Sequence, residues 1–169
     1  FPDHSATSQL LTDLTLHLAR KGYEVKVLTS RLISDSSPKL PSTIDTLHGV
    51  AIVRMWSTGF GRARLAGRAL DYLTFYMSAL WHLLSTASTG VLIIAKTDPP
   101  LISVVGALAS RIRGAVLVNW IQDLFPEVAS ALAVNGAGWL EKPLRTLRNR
   151  SLKAARQNVV IGEGMARRV

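Results

Sequence analysis

A chain of 169 residues, 48% of them hydrophobic, can bury a substantial core, and its length suits one domain, which argues against a disordered chain. It holds no cysteine, so disulfides, thiolate nucleophiles and cysteine zinc sites are excluded together. Its formal charge of +9 favours anionic surroundings such as acidic lipid, phosphorylated substrates or nucleic acid, and the positive residues fall mainly in two groups: Arg54, Arg62, Arg64 and Arg68, then Lys142, Arg145, Arg148, Arg150, Lys153 and Arg156.

Phe1 to Gln9 reads FPDHSATSQ, a turn of small and polar residues, and Leu10 to Lys21 follows with Leu10, Leu11, Leu14, Leu18 and Ala19 at helical spacing before the stop at Gly22. The loop Asp3-His4-Ser5-Ala6-Thr7-Ser8 therefore lies at a helix N-terminus, where free backbone N–H groups favour an anion or a sugar hydroxyl; a plain N-cap by one Ser or Thr fits it equally. Loops of this kind connect strand to helix in parallel α/β domains, so a first strand is expected upstream of Phe1. Tyr23 to Ser30 reads as a strand with Val25 and Val27 on one face, Arg31 to Leu47 as loop, Val50 to Arg54 as a short strand and Met55 to Gly61 as a turn.

Arg62 to Ser85 is the longest helical pattern, with a stripe of Leu70, Leu73, Met77, Leu80, Trp81 and Leu84. Two readings suit it: a helix packed on the sheet by that stripe, or an amphipathic helix whose Arg-rich start, with its aromatics, touches a membrane surface. The uncharged stretch Tyr72 to Ala95 is broken by Ser85 to Gly90 and is too short in its apolar part to span a bilayer, so no transmembrane helix is predicted.

The chain is organised around Val91 to Glu127. Two apolar runs, Val91 to Ala95 and Ala115 to Trp120, flank a helix-like segment and lack alternation, as strands covered on both faces do; the spacing is that of a βαβ unit. Ligands of parallel sheets bind beyond the carboxyl ends of the strands, which makes Lys96 to Pro100 and Gln122 to Glu127 the leading site segments. Asp98 before Pro99-Pro100 fits a helix cap or a carboxylate facing that crevice; Asp123 and Glu127 straddle the next helix start, where one of them suits a capping role. Val128 to Val134 continues that helix, Trp139 to Arg156 forms another with Leu140, Leu144, Leu147 and Ala155 inward, and Val159 to Ile161 is a strand before Gly162-Glu163-Gly164-Met165 enters a last helix. The predicted fold class is α/β, a Rossmann-like parallel sheet with helices on both faces.

No GxGxxG follows a strand, no GxxxxGK[ST] phosphate loop or GxSxG elbow occurs, and His4, His17, His48 and His82 lack metal-ligand spacing. A nicotinamide enzyme, an NTPase and a metal site are disfavoured.

Four segments in order, FPDHSATSQLLTDLTLHLARKGYEVKVLTS, TDPPLISVVGALASRI, WIQDLFPEVA and NVVIGEGMARRV, resemble the N-terminal domain of family 4 (group 1) glycosyltransferases, nearest to bacterial enzymes of capsule, colanic-acid and O-antigen synthesis. The resemblance implies the first half of a GT-B fold, with the first strand missing and a C-terminal domain carrying the donor site and its paired-glutamate motif, so that this stretch alone would not turn over. It implies an acceptor-side role for His4, Ser5, Ala6, Thr7, Thr97, Asp123, Glu127 and Glu163; Asp98 is the candidate catalytic residue from its place at the crevice, able to take a hydroxyl's proton, although Ser often stands there in the family. Phe125 replaces the family's Trp, and Gly162 its Ser. The implied partners are a nucleotide-sugar donor, a polyprenyl-diphosphate-linked glycan acceptor and, through Arg62, Arg64 and Arg68, the anionic inner face of the plasma membrane; no cofactor, metal or nucleic acid is implied. Two other readings remain at this stage, a basic α/β module binding nucleic acid or a partner without chemistry, and a nucleotide-sugar epimerase of the same fold.

Overall fold

The structure, a computed structural model, describes residues 6–31, 43–60, 65–126 and 138–169. The chain divides into two compact units, Phe1–Ala79 and Leu80–Val169.

In the first unit, α1 (Ala6–Arg20) packs on β1 (Val25–Ser30) and β3 (Val50–Met55). Gly22 ends the helix as the sequence predicts: at φ 88° it lets Tyr23 N donate to Leu18 O at 3.2 Å and its own N–H to Ala19 O at 3.0 Å, a Schellman closure. Helical geometry begins at Ala6, earlier than the predicted start, so Ala6 and Thr7 belong to the helix rather than to a loop.

Loop-like composition predicts no strand between Arg31 and Leu47, yet Ile44–Leu47 form β2, antiparallel to β3, while β1 and β3 run parallel. The turn His48-Gly49 joins them with both φ angles positive, 48° and 84°, the pattern of a type I′ hairpin whose twist matches the strands. The hairpin also corrects the first basic group. Arg54 is buried at the centre of the sheet with Asp45 Oδ2 at 3.7 Å, and is not part of an outward patch.

α2 (Leu65–Thr86) follows. The packing expected of its stripe holds only in part: Leu80 packs on the buried cluster of Ala87, Ile93, Ala95, Ala109 and Leu117 and Leu84 is half-buried, but Leu70, Leu73, Met77 and Trp81 are exposed, the last two at 65% and 76%, while Phe75 and Ala79 are buried. Its first turns are tied to the preceding loop, where Asp71 Oδ1 accepts from Thr58 Oγ1 at 2.8 Å and from Phe60 N at 3.0 Å.

The second unit is the predicted βαβ unit extended by one strand: β4 (Leu92–Lys96), α3 (Ile102–Arg113), β5 (Val116–Ile121), α4 (Gly138–Ala154), β6 (Gln157–Val160) and a single-turn α5 (Glu163–Ala166). The sheet is parallel throughout, in the order β4-β5-β6. Side chains alternate along it, and Ile93, Ala95, Leu117, Asn119 and Ile121 share the face on which both α3 and α4 pack. Expected burial on both faces is not met among the described residues, because Leu92, Ile94, Val116 and Val159 on the other face are exposed. The prediction for α4 also shifts: Leu147 faces outward, while Ser151 and Leu152 are buried. Of its basic residues, Arg145 pairs with Glu141, and Lys142, Arg150 and Lys153 are exposed.

α3 approaches the sheet through Gly106, where an added Cβ would lie 2.9 Å from Leu117 Cδ1, 3.5 Å from Ala95 Cβ and 3.6 Å from Ile93 Cγ2. Gly106→Ala is expected to be near neutral, since the helix-propensity gain of about 1 kcal/mol offsets a small displacement of Leu117. Gly106→Val drives two further carbons into the same contact and is expected to destabilise by roughly 1–3 kcal/mol in urea unfolding. Equal midpoints for the two variants would contradict this packing.

Candidate functional site

In the second unit a small cleft opens at the carboxyl edge of β4 and β5, on the face covered by the helices. Its walls are the end of β4 with Lys96 and Thr97, the start of α3 with Leu101 and Ser103, the β5 residues Asn119 and Ile121, the following turn from Asp123 to Phe125, and Arg148 and Leu152 of α4. The space open to the centres of water-sized molecules is about 30 Å3, room for a water or two or one protruding group of a larger ligand.

The two predicted site segments meet here. Gln122 N donates to Thr97 Oγ1 at 3.2 Å, tying the turn after β5 to the turn after β4. Between β4 and α3 the chain passes a cis Asp98-Pro99 bond, and α3 begins at Ile102 behind Leu101, which occupies the N-cap position at φ 62° without a side-chain cap bond. Asp98 is therefore not the cap of α3; it is exposed beside the cleft and does not form its wall.

Polar side chains on the floor are held in one orientation. Asn158 Nδ2 donates to Leu152 O at 3.1 Å, which turns Asn158 Oδ1 toward Asn119 Nδ2 at 2.9 Å; Asn119 Nδ2 also reaches Ser151 O at 3.4 Å. Flipping Asn119 would set oxygen against oxygen at both contacts, so the network fixes the amide. Ser151 Oγ spends its only proton on Arg148 O at 2.7 Å, so in the 2.9 Å contact between Ser103 Oγ and Ser151 Oγ it is Ser103 that donates. Arg148 reaches Phe125 O with NH1 at 3.4 Å and Asn149 Oδ1 with Nε at 3.1 Å.

Lys96 belongs to the rim by position, but alternation carries its head to the opposite face, where the ammonium lies 5.1 Å from the centre of the Trp120 ring. Burial lowers its pKa below the ordinary lysine range, and the Asp98 carboxylate opposes that shift.

Of the residues predicted as site members, Thr97 and Asp123 line the cleft and Asp98 stands beside it. Glu163 does not join them: it is exposed in α5, with Arg167 NH2 3.7 Å from its carboxylate. Ala6 and Thr7 lie in α1 of the other unit, and Arg68 in α2. His4, Ser5, Arg62, Arg64, Glu127 and the helix expected over Val128 to Val134 lie outside the described residues. Reasoning from the sequence missed Asn119, Ser103, Ser151, Arg148 and Leu152. One signal was available for the first, a carboxamide in the middle of the apolar run VLVNWI, where it must be either satisfied or functional.

No protein-family model, curated protein or solved structure matches this chain.

Lys96 offers a direct check on this geometry. The charged form is the one penalised in the folded state, so stability rises as pH climbs through the depressed folded pKa and levels off above the unfolded value. In an NMR titration of lysine side chains, Lys96 is expected to lose its proton below the ordinary lysine range. Asp98→Asn should lower the midpoint further, because it removes the opposing charge; a midpoint that rises in this variant would refute the coupling.

Proposed function

We propose that this chain is the acceptor-side domain of a nucleotide-sugar glycosyltransferase, Rossmann-like in arrangement and working at an anionic membrane face in the synthesis of a cell-surface glycan. The observation that carries the reading is the cleft itself. The TDPP and QDLFPE segments, two of those by which the chain resembles family 4 glycosyltransferases, supply Thr97 and Asp123 to one cavity at the carboxyl edge of a parallel sheet, joined by the bond from Gln122 N to Thr97 Oγ1 at 3.2 Å.

In this reading the cleft orients the acceptor hydroxyl, and Asp98, exposed beside the mouth, takes its proton. The nucleotide-sugar is held by a further domain with the family's paired-glutamate motif, which these residues do not contain. Closure then stabilises the departing diphosphate and the oxocarbenium-like sugar electrostatically.

Among the described residues no helix is long and apolar enough to cross a membrane. A surface role is supported instead by α2, whose exposed Leu70, Leu73, Met77 and Trp81 follow one another at three- and four-residue spacing. Arg68 in its first turns, with its guanidinium 5.7 Å from the Tyr72 ring centre, supplies positive charge toward anionic headgroups.

Two experiments test the reading. A longer form carrying a donor domain is expected to transfer sugar from one of a panel of UDP-, GDP- and dTDP-sugars to a bacterial lipid extract, and Asp98→Asn should lower the rate roughly 100-fold or more if that carboxylate is the base. No transfer by any form, with salt-sensitive nucleic-acid binding in its place, would overturn the assignment in favour of the basic binding module. In sedimentation with vesicles, binding should grow with the anionic-lipid fraction and weaken in Trp81→Ser. Binding indifferent to both would remove the membrane from the proposal.

A further inference from the structure

The loop of residues 56–60, where the chain leaves β3, reverses the usual order of inside and outside. Ser57 and Thr58 are half-buried, while Trp56 and Phe60 stand in water at 60% and 67% exposure. A loosely held loop does not account for this, because hydrogen bonds fix the backbone. Thr58 Oγ1 donates to Asp71 Oδ1 at 2.8 Å, Phe60 N donates to the same oxygen at 3.0 Å, and Thr58 N donates to Thr74 Oγ1 at 3.0 Å. All three bonds end on α2, and Ser57 Oγ lies 3.1 Å from Ser30 Oγ at the end of β1. The backbone is pinned to the fold and the two rings are left out.

The latch sets these rings beside apolar surface that is already exposed. Thr74, which receives Thr58 N, neighbours Leu70 and Met77 on the helix surface, four residues before it and three after, and both are exposed, as is Leu73 between them. Charge narrows what can cover such a patch. Residues 55–79 carry Arg62, Arg64 and Arg68 against a single acid, Asp71, and that half-buried carboxylate is engaged by the loop. Exposed aromatic and aliphatic side chains with an excess of positive charge match the interface of an anionic bilayer, where indole rings seat at headgroup level and cations meet phosphates. A second copy docked two-fold on the same patch would bring the same excess of positive charge against it.

We infer that the loop of residues 56–60 is a membrane-insertion element whose Trp56 and Phe60 rings enter the interfacial layer of an anionic bilayer, with Asp71 as the positioning residue that holds them outward. This rests on the membrane part of the reading above and adds to the α2 stripe a second, separately anchored contact.

The test uses the 169-residue chain with vesicles of phosphatidylcholine and phosphatidylglycerol, some brominated on the acyl chains. Because both rings are exposed, the double variant Trp56→Ser, Phe60→Ser should keep its melting curve and partition roughly 30-fold more weakly. Trp56→Phe keeps a ring and removes the reporter, so it should still bind but lose part of the quenching of tryptophan emission by brominated lipid. Asp71→Ala keeps both rings and should weaken binding roughly threefold or more, with helix content by circular dichroism retained. Binding that grows with phosphatidylglycerol yet is unchanged in the double variant, or quenching that is equal in Trp56→Phe, would overturn the inference and leave the α2 contact standing. A concentration-dependent dimer that the double variant abolishes would overturn it in favour of a second copy. With no binding to any vesicle, the inference and the membrane part of the reading fall together, while sugar transfer by the longer form is measured separately and is untouched.

Discussion

Burying Asn119 to 1% exposure in the middle of β5 takes a carboxamide out of water, and each of its polar atoms is then costly unless the protein answers it. The protein answers on one side only. Asn158 and Ser151 receive the two N–H bonds, and in doing so they bind β6 and α4 to β5 by a directional network rather than by apolar contact alone. Leu152 closes the adjoining apolar patch with Ile121 and Leu124, which holds the turn after β5 down on the helix. The position of the turn through Leu124 thus follows from where α4 is anchored.

α3 is placed by a different constraint. Gly106 lets its backbone come within side-chain contact of Leu117, Ala95 and Ile93, and Ala109 fills the next turn of the same interface. With α3 low on β4 and β5 and α4 low on β5 and β6, the helices meet through Ser103 and Ser151, and a gap opens above that contact where the strands end. A parallel sheet converges its strand ends at one edge, and the gap falls there for that reason. Its small volume leaves room for one protruding polar group, and its lining mixes the Thr97 and Ser103 hydroxyls with the Arg148 guanidinium and the exposed Asp123 carboxylate.

The apolar surface of the chain is distributed against simple expectation. α2 turns Leu70, Leu73, Met77 and Trp81 to solvent and buries Phe75 and Ala79, and the second sheet leaves Leu92 at 54% exposure. Exposed apolar stripes of this length are features of surfaces that meet something, and with the adjacent Arg68 this one is the ground on which an anionic lipid surface is proposed as the counterpart of α2.

Local rules settled much of this structure from the sequence alone. Glycine after a basic turn closes α1 because only that residue takes the positive φ without strain, and apolar runs bounded by turns fix the βαβ unit because burial of strands leaves few other patterns. The edge at which Thr97 and Asp123 lie follows from that topology. Other features were decided only by tertiary contacts. Pairing with β3 made a strand of Ile44–Leu47, a segment too polar to announce itself, and burial of Phe75 and Ala79 left only part of the α2 stripe, Leu80 among it, against the core, since periodicity gives the existence of an apolar stripe but not which neighbour it meets. Asn119 shows the same limit most sharply. Its burial in VLVNWI is readable along the chain, but its partners lie 32 and 39 residues away, and only the folded sheet determines which of its atoms they satisfy.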